Sequence, residues 1–254
     1  MKDEDNGSVN GIVLAGGEGK RLRPLSYYIQ KCMVPIGHMQ KPLLEYIVRL
    51  LRYHGVTSIS MLVGYKHEQI ANYFNHGDRF AVNISYVLDD PKLGGTGGSL
   101  LNLYRKGLVG AGENLLVYYG DIISDINLTE MLRQHRENGA VATLALSKGY
   151  QVSVGVAEVN GVDVSGWSEK PTLGIDVGIG ILVLKASVLP ELELLSKRHS
   201  ELDIMGHLIP CLIEKGERVQ AYLTDAFWYD VGSVEKYEKL DNGVIERRLK
   251  YLIM

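Results

Sequence analysis

Residues 11–42, GIVLAGGEGKRLRPLSYYIQKCMVPIGHMQKP, constrain the fold more tightly than any other stretch of the chain. The apolar run Ile12-Val13-Leu14-Ala15 has the length and character of a buried strand. It stops at Gly16-Gly17-Glu18-Gly19 and is followed at once by Lys20, Arg21 and Arg23. A strand that empties into a glycine-rich, basic turn is suited to a phosphate. Glycine lets backbone N–H groups come close to an anion, and the cations offset its charge. A tight turn with solvated cations is the commoner meaning of a short glycine run. Three basic residues within five positions tip this one toward the anion.

Two common nucleotide loops are excluded by the residues themselves. A Walker-type loop follows Gly-Lys with Ser or Thr to reach magnesium, whereas Gly19-Lys20 is followed by Arg21. The dinucleotide fingerprint needs a small residue three places after Gly19, where this chain carries Leu22. The stretch instead resembles the signature of the sugar-1-phosphate nucleotidyltransferases (NDP-sugar pyrophosphorylases): LAGGxGxRLxPL, then a lysine, then Lys-Pro before a helix. The chain supplies LAGGEGKRLRPL at 14–25, Lys31, and Lys41-Pro42. The resemblance runs from residue 11 to about residue 240 and implies a short form without a C-terminal β-helix domain.

Downstream, strand and helix patterns alternate. Leu43, Leu44, Ile47, Val48 and Leu51 recur on one helical face, which His54-Gly55 closes. Strands are predicted over 58–63, 83–88 and 115–119, with a short helix over 68–74. Asn127 and Glu130 are spaced as a capping pair for a helix through Glu137. This alternation implies a doubly wound, mostly parallel, Rossmann-like α/β sheet with helices on both faces and ligands beyond the strand C-termini. The second half reads as shorter strands over 141–146, 155–159, 162–168 and 177–184, with Asn160-Gly161 as a hairpin turn. Helices near 188–195 and 204–215, a strand over 218–223 and a last helix from Ser233 complete it. No linker or repeat interrupts the chain. One domain over 1–254 is expected, with a nucleotide-binding half to about residue 125 and a smaller, sugar-facing β region within the remainder.

Composition narrows the setting. A net charge of -3 offers no basic field for nucleic acid. Two cysteines, Cys32 and Cys211, make neither a disulfide framework nor a metal cluster. The polar start MKDEDNGSVN contains no apolar signal segment, and no run approaches a membrane span. A soluble, cytoplasmic protein is expected, with no membrane partner.

Nucleotidyl transfer brings two anions together, so a catalyst must align them and neutralise charge with arginine, lysine and a divalent metal. Magnesium takes oxygen ligands, usually one or two carboxylates plus substrate phosphates. Asp121 ends a predicted buried strand and reads equally as a turn aspartate or a ligand. Asp230, after Trp228-Tyr229, reads alone as a turn residue, and Glu169-Lys170 as a solvated pair. The resemblance changes these readings. LVYYGD at 116–121 and WYDVGSVEKY at 228–237 match family segments whose aspartates hold magnesium, which implies Asp121 and Asp230 as metal ligands. It further implies Arg21 on the β- and γ-phosphates, Lys31 on the α-phosphate and Lys170 on the sugar phosphate. Nucleotide contacts are implied for Leu14, Ala15, Gly16, Gly17, Gly19, Lys20, Gly95 and Thr96, and sugar contacts for Gly155, Glu169, Lys170 and Asp176.

The chain also departs from the family pattern. Lys31 sits between Gln30 and Cys32 where prolines are usual, implying a looser loop. Gly94-Gly95-Thr96-Gly97-Gly98 carries an additional glycine, and Asp176 replaces an asparagine. Cys32 has no partner base in sequence and reads as a packed thiol.

Three functions compete. The first joins a nucleoside triphosphate to a sugar 1-phosphate, with GTP and mannose or heptose 1-phosphate favoured over thymidylyl or uridylyl transfer to glucose 1-phosphate. The second is a non-catalytic NDP-sugar binder. The third is a glycosyltransferase, which would want Asp-x-Asp where this chain has Asp121 and Asp125. Family resemblance also implies a homo-oligomer. The apolar end of the chain would dock on its own core or on a neighbouring subunit.

Overall fold

The computed structural model describes residues 9–110, 112–152 and 154–253. The polar start (1–8), Ser153 beside the expected sugar-site glycine and the terminal Met254 lie outside the described residues. The chain opens with β1 (Val9–Ala15), 3-10 turns across the signature loop, β2 (Pro35–Ile36), β3 (Lys41–Pro42) and α1 (Leu43–Tyr53). Next come β4 (Ser58–Val63), α2 (His67–Phe74), β5 (Asn83–Leu88), α3 (Gly95–Arg105), β6 (Asn114–Tyr119), β7 (Ile122–Ser124) and α4 (Leu128–Glu137). The second half begins with β8 (Ala142–Gln151), β9 (Val156–Asn160), β10 (Asp163–Ser168) and β11 (Thr172–Lys185). It ends with α5 (Leu189–Leu195), α6 (Ile209–Glu214), β12 (Val219–Thr224), β13 (Trp228–Asp230), α7 (Val234–Glu238) and α8 (Asn242–Ile253).

Seven strands form one sheet in the order β12-β8-β11-β6-β1-β4-β5. Only β11 runs against its neighbours; the other pairs are parallel. The mostly parallel sheet expected from the alternation is therefore what forms. Successive side chains on a strand point to opposite faces, and this divides the core in two. Val13, Met61, Leu116 and Tyr118 pack with α1, α2, α4 and α8. Ile12, Leu62, Leu115 and Val117 pack with α3, α5 and α6. Helices cover both faces, and the loops beyond the strand C-termini are left for a ligand.

Local sequence explains where these elements stop. α1 buries Leu43, Leu44, Ile47, Val48 and Leu51, each side chain gaining about 1.5–3 kcal/mol over exposure. It ends because Gly55 adopts φ +79°. The Gly55 and Val56 N–H groups then donate to the carbonyls of Arg52 (3.0 Å) and Leu51 (2.9 Å), a Schellman closure that glycine enters at little cost. α4 keeps half of its expected cap. Asn127 accepts from the Glu130 N–H at 3.0 Å, but the Glu130 carboxylate turns out to Arg133.

Three expectations are corrected. The hairpin loop is Gly161-Val162, one residue later than Asn160-Gly161, because Asn160 still pairs with Asp163. β8 and β11 extend past the predicted runs and pair as an exposed arm, through Asp176 opposite Lys148 and Thr172 opposite Gln151. The helix at Ser233 is not the last. After it, α8 buries Ile245, Leu249 and Leu252 against the α1 side of the core, so the apolar tail docks on its own chain. Among the described residues, no helix is long and apolar enough to cross a membrane.

Candidate active site

The signature loop is shaped by what its glycines touch. A methyl group on Gly16 would lie 1.9 Å from Asp89 Oδ2. Gly19 sits at φ +63°, and a Cβ there would press to 3.0 Å from Lys31 Cβ. The N–H groups of Gly17, Glu18 and Gly19 find no acceptor among the described residues, which leaves them open to an anion. Lys20 and Arg23 are exposed and lean on Glu18 at 3.5 and 3.7 Å. Arg21 reaches toward Gly232, its Nη2 3.2 Å from where that residue's Cβ would stand.

The acidic side of the site is assembled across the chain. Gly120 lets β6 pass close to β1: its N–H donates to the Leu14 carbonyl at 3.0 Å, and a Cβ would collide with that oxygen at 2.7 Å. The next residue, Asp121, accepts from Lys31 Nζ at 2.7 Å. β7 then pairs antiparallel with β13, setting Ile122 opposite Asp230, and the Val231 N–H donates to the Asp121 carbonyl at 2.9 Å. That ladder brings two aspartates distant in sequence to one strand end. Burial pulls the pKa of Lys31 down, but the charge and hydrogen bond of Asp121, with Cys32 and Asp230 adding, outweigh it and hold the ammonium above its ordinary range. Both aspartates therefore act on one cation. Asp230 is also paired with Lys236.

The loop, Lys31, Asp121 and Gly232 line a cleft of about 720 Å³. Of the sequence-predicted residues, Leu14, Gly16, Gly17, Gly19, Lys20, Arg21, Lys31, Asp121, Gly95 and Thr96 face it. Ala15 does not. It is fully buried, and its carbonyl accepts from Gln30 Nε2 at 2.8 Å. Asp230 stands behind Gly232 at the rim, its Oδ1 2.6 Å from the position of a Cβ there. The glycine run at the start of α3 is largely used for packing. The N–H groups of Gly97 and Gly98 donate to the Leu202 carbonyl at 2.7 and 3.3 Å, and the Thr96 hydroxyl donates to Asp203 at 2.9 Å. The additional glycine has a reason: Gly95, at φ +80°, would place a Cβ 2.3 Å from the Leu202 oxygen.

The expected sugar residues lie outside the cleft lining, on the arm. A Cβ on Gly155 would enter the Trp167 ring at 2.1 Å. Glu169 and Lys170 are exposed where β10 passes into β11, and the Lys170 carbonyl accepts from Gln151 at 3.3 Å. Asp176 is exposed opposite Lys148.

Several contributors carry no mark in the sequence. Gln30 is fully buried; besides its bond to Ala15, its N–H donates to Gln69 Oε1 at 2.7 Å and its side-chain oxygen accepts from the Cys32 N–H. The loop expected to loosen without its proline is thus tied to β1 and α2. Cys32 is the packed thiol expected: burial pushes it up to about 12, against the pull of Lys31. Asp89, which no motif marks, lines the cleft with Oδ1 buried and unpartnered among the described residues; burial raises its pKa. Asp125 is engaged elsewhere, accepting from the Phe227 N–H at 2.8 Å and pairing with Arg248 at 3.4 Å. Among the described residues, no three His, Cys, Asp or Glu side chains converge as a complete metal cage. Asp121 and Asp230 nevertheless fit a hard divalent ion that draws its other oxygens from substrate. Each carboxylate is paired with a lysine ammonium.

Comparison with known proteins gives the family and the fold. The family model for nucleotidyl transferases matches residues 10–247. The chain is 32% identical over 260 positions to UTP--glucose-1-phosphate uridylyltransferase of Synechocystis sp., covering 94% of this chain and 64% of that protein. It is 30% identical over 232 positions to D-glycero-alpha-D-manno-heptose 1-phosphate guanylyltransferase of Aneurinibacillus thermoaerophilus, covering 90% and 95%. The fold is shared with HddC from Yersinia pseudotuberculosis complexed with GMP-PN, at TM-score 0.68 and 22% identity over 91% of this chain and 96% of that one. The chain thus spans less than two thirds of the uridylyl relative and nearly all of the heptose relative.

Proposed function

The chain belongs to the nucleotidyl transferase family, and from that premise we propose that it joins a nucleoside triphosphate to a sugar 1-phosphate, releasing pyrophosphate. The observation that carries this reading is that the β7–β13 ladder sets Asp230 opposite Ile122, next to Asp121, and that both aspartates act on Lys31 beside the glycine loop. A phosphate oxygen of the sugar 1-phosphate bonds to the α-phosphorus as the bond to the departing pyrophosphate breaks. The protein's work is to hold two anions in line and offset their charge. The open amides after β1 and Lys20 receive the triphosphate, and the planar fork of Arg21 takes its β- and γ-oxygens. Lys31 meets the α-phosphate. Asp121 and Asp230 hold magnesium, which when bound offsets charge on the reacting phosphates. Leu14, Gly95 and Thr96 bound the base and ribose. The sugar 1-phosphate lies between the cleft and the arm, its phosphate aimed by Lys170 and its hydroxyls met by Gly155, Glu169 and Asp176.

Two substrate readings have support. Guanylyl transfer to mannose or heptose 1-phosphate is favoured by Lys41-Pro42-Leu43-Leu44-Glu45-Tyr46, by the Gly-Thr-Gly-Gly run, and by the length shared with the heptose relative. Uridylyl transfer to glucose 1-phosphate is favoured by the higher identity to the Synechocystis protein. Retention of Arg21, Lys31, Asp121 and Asp230 argues against a non-catalytic binder. A cytoplasmic setting and self-association are part of the proposal, the latter decided by light scattering. A matrix of nucleoside triphosphates against sugar 1-phosphates, scored by pyrophosphate release with and without magnesium, tests the whole. Metal-dependent release from one pairing supports it; no release from any pairing sinks it.

A further inference from the structure

The two carboxylates proposed to hold the metal each carry a lysine: Lys31 on Asp121, which lines the cleft, at 2.7 Å, and Lys236 on Asp230, behind Gly232. Lys31 has a place in the reaction, whereas Lys236 does not. Its position is nonetheless built. The Ser233 hydroxyl accepts from its N–H at 3.3 Å, and the Tyr229 hydroxyl donates to its carbonyl at 2.7 Å. The other lysine near this helix, Lys239, is drawn away by Glu235. The Lys236 side chain is 44% exposed against 24% for Asp230, so it can swing into water without stranding its own charge.

The charge balance that bears on metal entry is the one at these two carboxylates. Asp121 and Asp230 are balanced by Lys31 and Lys236, and Arg21 adds a further positive charge beside Gly232. Glu18, Asp89, Asp90 and Glu201 also line the cleft, but at Asp121 and Asp230 themselves a divalent cation arriving alone meets carboxylates already neutralised, and must break an ammonium–carboxylate contact to reach either. We propose that Lys236 is the resident counter-ion of Asp230. It keeps the free protein from loading metal and yields only when the nucleotide phosphates bring their own negative charge with the ion. Lys236 is then a positioning residue acting through Asp230. The inference rests on the assignment of Asp121 and Asp230 as metal carboxylates.

The test uses Mn2+ on the full chain, with free ion counted by electron paramagnetic resonance. Without nucleotide, wild type and Lys236→Arg bind Mn2+ weakly. Removing one unit of positive charge from beside the site in Lys236→Met tightens binding ~10-fold. Lys236→Gln carries the same expectation should the methionine variant fold poorly. Adding Asp230→Asn to Lys236→Met abolishes the gain, and a non-hydrolysable triphosphate closes the gap between wild type and Lys236→Met. Equal Mn2+ affinity in wild type and both uncharged variants overturns the inference, as does a gain that survives Asp230→Asn. Failure of the underlying assignment is distinct: Mn2+ binding in the presence of nucleotide, unchanged by Asp121→Asn and by Asp230→Asn, removes both readings.

Discussion

The loop leaving β1 and the arm leaving β8 and β11 are built in opposite ways. The loop is pinned from several sides: Gly16 against Asp89, Gly19 against Lys31, and the following turn against β1 through Gln30. The arm has little beneath it. β8 starts at the buried Ala142 and Thr143 and finishes in exposed residues, while β11 runs from exposed to buried in the opposite sense. One face of the hairpin beyond them leaves Val159, Val164 and Trp167 largely in water. A packed loop is ordered before any ligand arrives, so binding there costs little conformational entropy. Side chains on the arm must be ordered by the ligand itself. Under the proposed function, chemistry that needs fixed geometry falls to the first region and recognition of the sugar to the second.

That contrast can be broken or sharpened by substitution. Asp121→Asn should lower pyrophosphate release ~1,000-fold, because it removes a carboxylate from the reacting centre. Its melting temperature should stay within a few degrees of wild type, and near-normal turnover would take Asp121 out of the site. Gly16→Ala should cost about 1–3 kcal/mol and raise KM for the nucleotide, since the methyl must force Asp89 aside. Its counterpart on the arm, Gly174→Ala, meets nothing within 4 Å and should leave both stability and kinetics unchanged. Equal sensitivity at the two glycines would erase the distinction drawn here.

A pH titration separates the core half of β8 from its exposed half. His135 is fully buried, its Nδ1 2.7 Å from the Thr143 hydroxyl; burial, with Lys185 and Arg136 adding, pushes its pKa down to about 4. The unfolded chain takes up this proton near pH 6.5 and the folded one resists it. Stability present above pH 6.5 should therefore fall by about 2 kcal/mol by pH 5. Denaturant melts at pH 7 and pH 5 check this, and His135→Gln should flatten the difference. A smaller effect, confined to one substrate, is expected at Lys170 on the arm. Lys170→Met should raise KM for sugar 1-phosphate ~10-fold, with KM for nucleotide and the melting temperature unmoved. A parallel loss of nucleotide affinity would place Lys170 elsewhere.

Legibility in the sequence divides along the same line. The strand, glycine turn and cations of residues 12–23 declare themselves because their determinants are local, and Asp121 is visible as the end of an apolar run. Asp230 has no local mark; resemblance points to it, and only the β7–β13 pairing brings it to Asp121. Gln30 reads as a loosening substitution because its partners, Ala15 and Gln69, are remote in sequence. The outer halves of β8 and β11 escape a pattern-based reading because strands exposed to water on both faces lack an apolar alternation. The additional glycine at 95 makes sense only with Leu202 packed against it.

The most direct test is a double-mutant cycle on magnesium-dependent pyrophosphate release, comparing wild type, Asp121→Asn, Asp230→Asn and the double variant with the active substrate pair. Two carboxylates sharing one ion should each lower turnover by orders of magnitude, with the double variant no worse than the more damaged single one. Losses that multiply independently, or turnover that survives either change, would contradict the account.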